Sequence, residues 1–254
     1  MRLRRGALWP LHSMRGMHQH CSPRPGGAFR VLAEQLCAAR YASTCQSISV
    51  KALPDVTTLS SHHDITVVTA VPEWPWIATR KSGNLLVRAT HYPPLFGAVA
   101  QALDAATDTF NILLTGHPGI GKTFGALNYV LLRALGERPD DMVVTVDAWS
   151  FNVFRVAQGS VQRDTFLTVD YSSRGDMTRA LVAHVRGFSL PSTTKVLLLH
   201  DVKTVDQLPY QLVLHDALQR SFRTACLLAA SPKESNYKDF LKEWPYERFV
   251  LPLW

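Results

Sequence analysis

A compact apolar run, FNILLTG (110–116), passes through the short loop HPGIGKT (117–123) into FGALNYVLLRAL (124–135), whose apolar residues Phe124, Leu127, Leu131 and Ala134 recur at helical spacing. Gly136 stands where such a helix is expected to stop. Strand, glycine-rich loop and helix in that order leave few folds open. Gly116, His117, Pro118, Gly119, Ile120, Gly121, Lys122 and Thr123 together satisfy the spacing G-x-x-x-x-G-K-[ST]. The physics behind that spacing is specific. Gly116, Gly119 and Gly121 allow backbone conformations that turn N–H groups inward around an anion. The helix starting near Lys122 aims the positive end of its dipole at the same point. Lys122 adds a cation for the β- and γ-phosphates of a nucleotide, and Thr123 adds a hydroxyl for Mg²⁺.

The flanking segments support an α/β reading. DITVVTAV (64–71) is a short strand pattern, followed by VPEWPWIATR, where Pro72 and Pro75 forbid a helix and Trp74 and Trp76 are expected packing anchors. LLVRATHYPPL (85–95) leads into a helical pattern over 96–106, with Phe96, Val99 and Leu103 on one face. Buried strands are expected at 142–149, 195–201 and 224–231, and helices at 177–185, 208–219 and 236–244. A closing strand is expected at 248–253, and 151–156 with 161–169 forms a hairpin around a glycine-containing turn. This alternation predicts a P-loop NTPase-type, mostly parallel sheet with flanking helices and an inserted β-hairpin.

Such a loop needs a second element: a hydrophobic strand ending in an acid that orients the Mg²⁺ shell. KVLLLHD ends in Asp201, the preferred candidate, and MVVTVD ends in Asp147, its competitor. Val202 follows Asp201, so the position that often carries a water-activating glutamate has no carboxylate. Ser231 closes the strand at 224–231, where it can either sense a γ-phosphate or cap the turn SPKES. Arg223 and Arg248 are further cations to weigh for the transition state.

Charge divides the chain unevenly. The net charge is +7, yet residues 1–54 carry eight basic residues against the single acid Glu34. The other 200 residues hold nineteen of each sign and are neutral overall. That excludes a broad basic groove across the main domain, so any nucleic-acid contact falls to the leader and would be non-specific and salt-dependent. The expected organisation is a flexible basic leader (1–54), a linker with a short strand (55–84) and an α/β domain (85–254). The leader's Arg-rich, acid-poor make-up fits a mitochondrial transit peptide or a disordered basic arm. Pro10, His12 and Arg15 break the apolar stretch a secretory signal would need. No apolar run approaches the roughly 20 residues of a membrane-spanning helix. Cys21, Cys37, Cys45 and Cys226 show no disulfide-framework spacing, which fits a reducing compartment. His18, His20 and Cys21 cluster without a second ligand pair at zinc-site spacing.

Several of these stretches taken in order resemble one family. LLTGHPGIGKTFGALNYVLLRAL, KVLLLHDVK, LLAASPKESNYKDFLKEW and FVLPLW are similar to the P-loop domain shared by retrotransposon hot spot proteins and Crinkler-type effectors, as is LLVRATHYPPLFGAVAQAL upstream. The resemblance spans residues 85–254. It implies an ATP-binding domain of the broad P-loop ATPase group, with weak or conditional ATPase activity, or else an inert nucleotide-gated module. It further implies that Gly116 to Thr123 bind nucleotide, that Asp201 and Thr123 serve Mg²⁺, that Lys122 and Asp201 are catalytic, and that Ser231 lies near the phosphate. A nuclear or host-cell setting with protein partners there is implied as well. Relative to that family, the segment is expected to lack a C-terminal helical lid. The resemblance implies ATP rather than GTP, and no guanine-specifying Asn-Lys-x-Asp run appears to argue otherwise.

Overall fold

In the computed structural model the described residues are 41–49, 65–68, 85–105, 110–147, 150–168, 174–188, 190–202, 208–233, 237 and 246–252. All fall in the unit Cys37–Trp254. The strands are β1 (Tyr41–Ser49), β2 (Ile65–Val68), β3 (Leu85–Arg88), β4 (Phe110–Gly116), β5 (Met142–Val146), β6 (Ser150–Ala157), β7 (Ser160–Thr168), β8 (Lys195–Val202), β9 (Arg223–Ala230) and β10 (Tyr246–Leu251). The helices are α1 (Tyr92–Asp104), α2, which opens with a π-helical segment Lys122–Leu127 and continues as Asn128–Glu137, α3 (Arg174–Gly187) and α4 (Leu208–Gln219).

Eight strands form one sheet in the order β1-β7-β6-β5-β8-β9-β4-β10, and β2 pairs with β3 in a separate two-stranded sheet. From β5 to β10 every neighbouring pair is parallel, whereas β5, β6, β7 and β1 pair antiparallel. The fold is therefore α/β, with a mostly parallel sheet, flanking helices and an inserted hairpin, β6–β7. That hairpin turns on Gln158 and Gly159, both with positive φ (52° and 73°). Two such residues match the right-handed twist of the strands they join.

Strand alternation sorts the core into two layers. Ile112, Leu114, Leu197, Leu199, Leu227 and Val143 face one side and pack with α1 and α2. Leu113, Val144, Val196, Leu198, Val202 and Leu228 face the other side, with Leu181, Val185, Leu214 and Leu218 of α3 and α4. Burying each such side chain contributes about 1.5–3 kcal/mol. The central strands are apolar on both faces because both faces are covered.

Several boundaries move from the sequence reading. Helix α1 begins at Tyr92 rather than near 96, with Pro93 and Pro94 in its first turn. The missing proline N–H costs nothing there, since first-turn amides have no intrahelical acceptor. Strand β5 ends at Val146, so Asp147 follows the strand instead of lying within it. The larger change is β1: nine residues of the stretch read as leader pair with β7 from Tyr41↔Thr168 to Ser49↔Ser160. Residues 1–40, Trp74, Trp76, the His18–Cys21 cluster and the expected helix at 236–244 lie outside the described residues, apart from Tyr237.

Candidate phosphate-binding site

Strand β4 delivers the loop to the carboxyl edge of the sheet, flanked by β10 on one side and β9 on the other. Gly116, Gly119 and Gly121 all take positive φ, at 146°, 79° and 90°. At Gly116 a second constraint operates, because an added Cβ would lie 2.8 Å from the Leu251 carbonyl oxygen and 3.4 Å from Ile120 Cγ2. His117, Pro118 and Gly119 are exposed, while Ile120 is buried in the α1/α2 core and pins the loop. The Ile120 N–H donates to the His117 carbonyl at 3.4 Å, closing the turn.

Lys122 folds back over this loop. Its Nζ donates to the carbonyl oxygens of Gly116 (2.6 Å) and His117 (2.8 Å). An ammonium has three donors, so the cation is tied to the loop with one donor to spare. Partial burial lowers the Lys122 pKa, and the negative charge of Asp201 opposes that shift.

Helix α2 starts with an unusual turn. The Gly121 carbonyl accepts from both Gly125 N–H (2.9 Å) and Ala126 N–H (2.8 Å). It also accepts a longer bond, 3.3 Å, from the Tyr92 hydroxyl. The widened turn is a π-type opening, a feature that recurs at functional sites. Tyr92 is fully buried, and burial pushes its phenol up to about 12, so it remains a protonated donor. Its ring packs against Tyr129 at 5.7 Å, tying α1 to α2. The sequence reading did not single out Tyr92; its position beside two prolines carries no local signal for contact with a loop 29 residues away.

The two predicted Mg²⁺-serving residues meet. Thr123 Oγ1 donates to Asp201 Oδ1 at 2.6 Å. Asp201 lies on the α2 side of the sheet because it shares the alternation of Leu197 and Leu199. Strand β9 lies between β8 and β4, with Ala229 registered to both Asp201 and Leu114. Ser231 follows Ala230 and so reaches the level of Gly116, half-buried, between the loop and the β8 edge.

Asp147 does not make this contact. Its Oδ1 accepts from Ser150 N–H (2.7 Å) and its Oδ2 from the Ser150 hydroxyl (2.9 Å). The two arginines separate clearly. Arg223 opens β9 opposite Lys195. It lines a cavity with Arg138, Asp141 and Lys195. That is the amino edge of the sheet, roughly 20 Å of strand away from the loop. Arg248 lies on β10 and donates through Nε to Thr115 Oγ1 at 3.4 Å, one residue short of Gly116.

Thr123 and Asp201 offer hard oxygen donors of the kind Mg²⁺ takes together with phosphate and water. Among the described residues no group of three or more His, Cys, Asp or Glu side chains is placed to hold a metal ion. No described helix is long and apolar enough to cross a membrane.

No family model and no curated protein matches the chain. Among solved structures, that of C. elegans PCH-2 is similar at a TM-score of 0.38 and 14% identity, over 63% of this chain. The chain spans 41% of the length of that one.

Proposed function

We propose that the chain binds ATP with Mg²⁺ at Gly116–Thr123 and Asp201 and hydrolyses it weakly or conditionally. The observation that carries this reading is the 2.6 Å bond from Thr123 to Asp201. It joins the residue after the loop lysine to an acid near the carboxyl end of β8, two places away in the sheet. Loop amides and the helix dipole favour an anion there. Lys122 supplies the cation for the outer phosphates and holds the loop's own carbonyls when it folds back. Mg²⁺ at Thr123 and Asp201 would neutralise charge on the transferring phosphoryl group. Ser231, which follows the end of β9, would lie beside the phosphates.

The choice of ATP, and a role as a nuclear or host-delivered protein of the hot spot or Crinkler type, rest on the sequence resemblance. A second reading, an inert nucleotide-gated interaction module, is favoured by one observation: Val202, the residue after Asp201, is buried on the α3/α4 side and brings no carboxylate to the loop.

The test is equilibrium binding of labelled ATP with Mg²⁺ to the full chain, which keeps β1 in the sheet, beside Lys122→Ala. Loss of tenfold or more in affinity on removing the ammonium is expected. Equal binding by the two proteins would end this reading. Turnover above the Lys122→Ala background then separates the ATPase from the inert module.

A further inference from the structure

The carbonyl of the loop's last glycine carries three donors. Gly121 O accepts from the Gly125 and Ala126 N–H groups at 2.9 and 2.8 Å and from the Tyr92 hydroxyl at 3.3 Å. That carbonyl shares one planar trans peptide with the N–H of Lys122, and the two point in opposite directions. Donors that draw the carbonyl toward α2 therefore turn the Lys122 N–H outward from the start of the helix. First-turn amides have no intrahelical acceptor, so this N–H is among the groups that a phosphate at the helix start would take.

Tyr92 is placed to act on that peptide. Its side chain is fully buried. Its hydroxyl lies 3.0 Å from where a Cβ on Gly121 would stand, and closer still to one on Gly125. Burial pushes the phenol up to about 12, which keeps the proton it donates. Four residues earlier, the buried Arg88 donates to the Pro252 carbonyl at 2.8 Å. Pro252 follows Leu251, whose carbonyl oxygen faces Gly116. The stretch from Arg88 to Tyr92 thus reaches both ends of the loop: Gly116 by way of the end of β10, and Gly121 directly. Inside α2 the widened turn is supplied by Asn128. Its backbone N–H donates to the Gly125 carbonyl, and its Nδ2 donates to the Phe124 carbonyl at 2.8 Å.

We propose that Tyr92 is a positioning residue of the nucleotide site: its hydroxyl fixes the Gly121–Lys122 peptide so that the Lys122 N–H faces the phosphates. The inference rests on the nucleotide binding put forward above. Tyr92 itself touches no phosphate. Hydrogen bonds in series polarise one another, so donation to the Gly121 carbonyl also makes the Lys122 N–H a stronger donor to an anion. Without the hydroxyl the carbonyl keeps its two backbone donors, and no buried polar group is orphaned. The fold survives that loss, and the cost falls on binding.

The experiment compares the isotope-labelled full chain with its Tyr92→Phe variant, at urea concentrations where both are folded. With Mg²⁺ present, Tyr92→Phe is expected to bind ATP about fivefold more weakly, the factor a single neutral hydrogen bond carries. ADP should weaken by the same factor, because loop amides cradle the inner phosphates. Saturating ATP should move the wild-type Lys122 amide proton downfield in the NMR spectrum, and the displacement should shrink in Tyr92→Phe. A role in packing alone predicts a lower urea midpoint with unchanged affinity and an unchanged Lys122 displacement, which would overturn the proposal and leave ATP binding standing. A loss confined to ATP would do the same. If Tyr92→Phe fails to fold, the wild-type spectrum decides: a downfield Lys122 amide supports the proposal, and an unmoved one overturns it. A wild-type chain that binds no nucleotide would overturn both readings.

Discussion

The hydroxyl of Tyr92 occupies the space that a side chain on Gly125 would need. The same hydroxyl donates to the Gly121 carbonyl, so one buried phenol touches the loop's last glycine and the first turns of α2. Gly125→Ala forces either the ring or the helix to move. The expected cost is about 1–3 kcal/mol, the range for overpacking a filled core. Removing the oxygen with Tyr92→Phe should recover part of it, leaving the rest to the ring carbons at 3.1 and 3.3 Å. Urea denaturation of the two single variants and the double variant reads the coupling; strict additivity would show that the contact is not formed.

Asp201 and Thr123 make a prediction about metal rather than about stability. If they serve Mg²⁺, then Asp201→Asn should reduce the gain in ATP affinity that Mg²⁺ provides, while binding in excess chelator changes little. A tenfold loss corresponds to 1.4 kcal/mol. Titrating Mg²⁺ at fixed ATP separates this from a general collapse of the loop, which would lower both affinities together.

His215 on α4 is buried, and burial pushes its pKa down to about 4, from an ordinary value near 6.5, against the opposing charge of Asp216. The folded chain keeps this ring neutral while the unfolded chain protonates it. Stability from this group is therefore complete above about pH 6.5 and is lost as pH falls toward 4. The full loss is on the order of 3 kcal/mol. Denaturation at pH 7.5 and pH 4.5 should show it. His215→Gln, which cannot titrate, should flatten that part of the profile.

Cys226 sits within β9 at 1% exposure, and burial raises its thiol pKa well above the usual range. The thiolate is the reactive form. Native protein should leave Cys226 unlabelled by an alkylating reagent over hours, with labelling appearing at the rate of unfolding. Rapid native labelling, mapped by peptide mass spectrometry, would contradict the burial of β9.

The strand, loop and helix around Lys122 were legible in the sequence because their signals act over a few residues. An apolar run of strand length, glycines at set intervals and a helical apolar period need no knowledge of the rest of the chain. The hairpin turn was legible for the same reason, with Gly159 marking the reversal. The start of α1 was missed because a pair of prolines reads as a break until it is seen to fill a first turn. Strand β1 was missed because its sequence, YASTCQSIS, follows an arginine-rich stretch and is polar. At the edge of a sheet, pairing with β7 supplies what hydrophobic patterning does not.

By itself the sequence determined that a phosphate-type loop joins a buried strand to a helix, and that charge beyond the leader sums to zero. The tertiary structure decided which acid meets the loop. In the sequence both Asp147 and Asp201 end apolar runs, and nothing local separates them. Thr123 reaches Asp201 across 78 residues of chain because β9 inserts between β4 and β8 and alternation points Asp201 toward α2. Strand order and facing come from non-local pairing and from burial on both sides of the sheet, which no short stretch of sequence encodes.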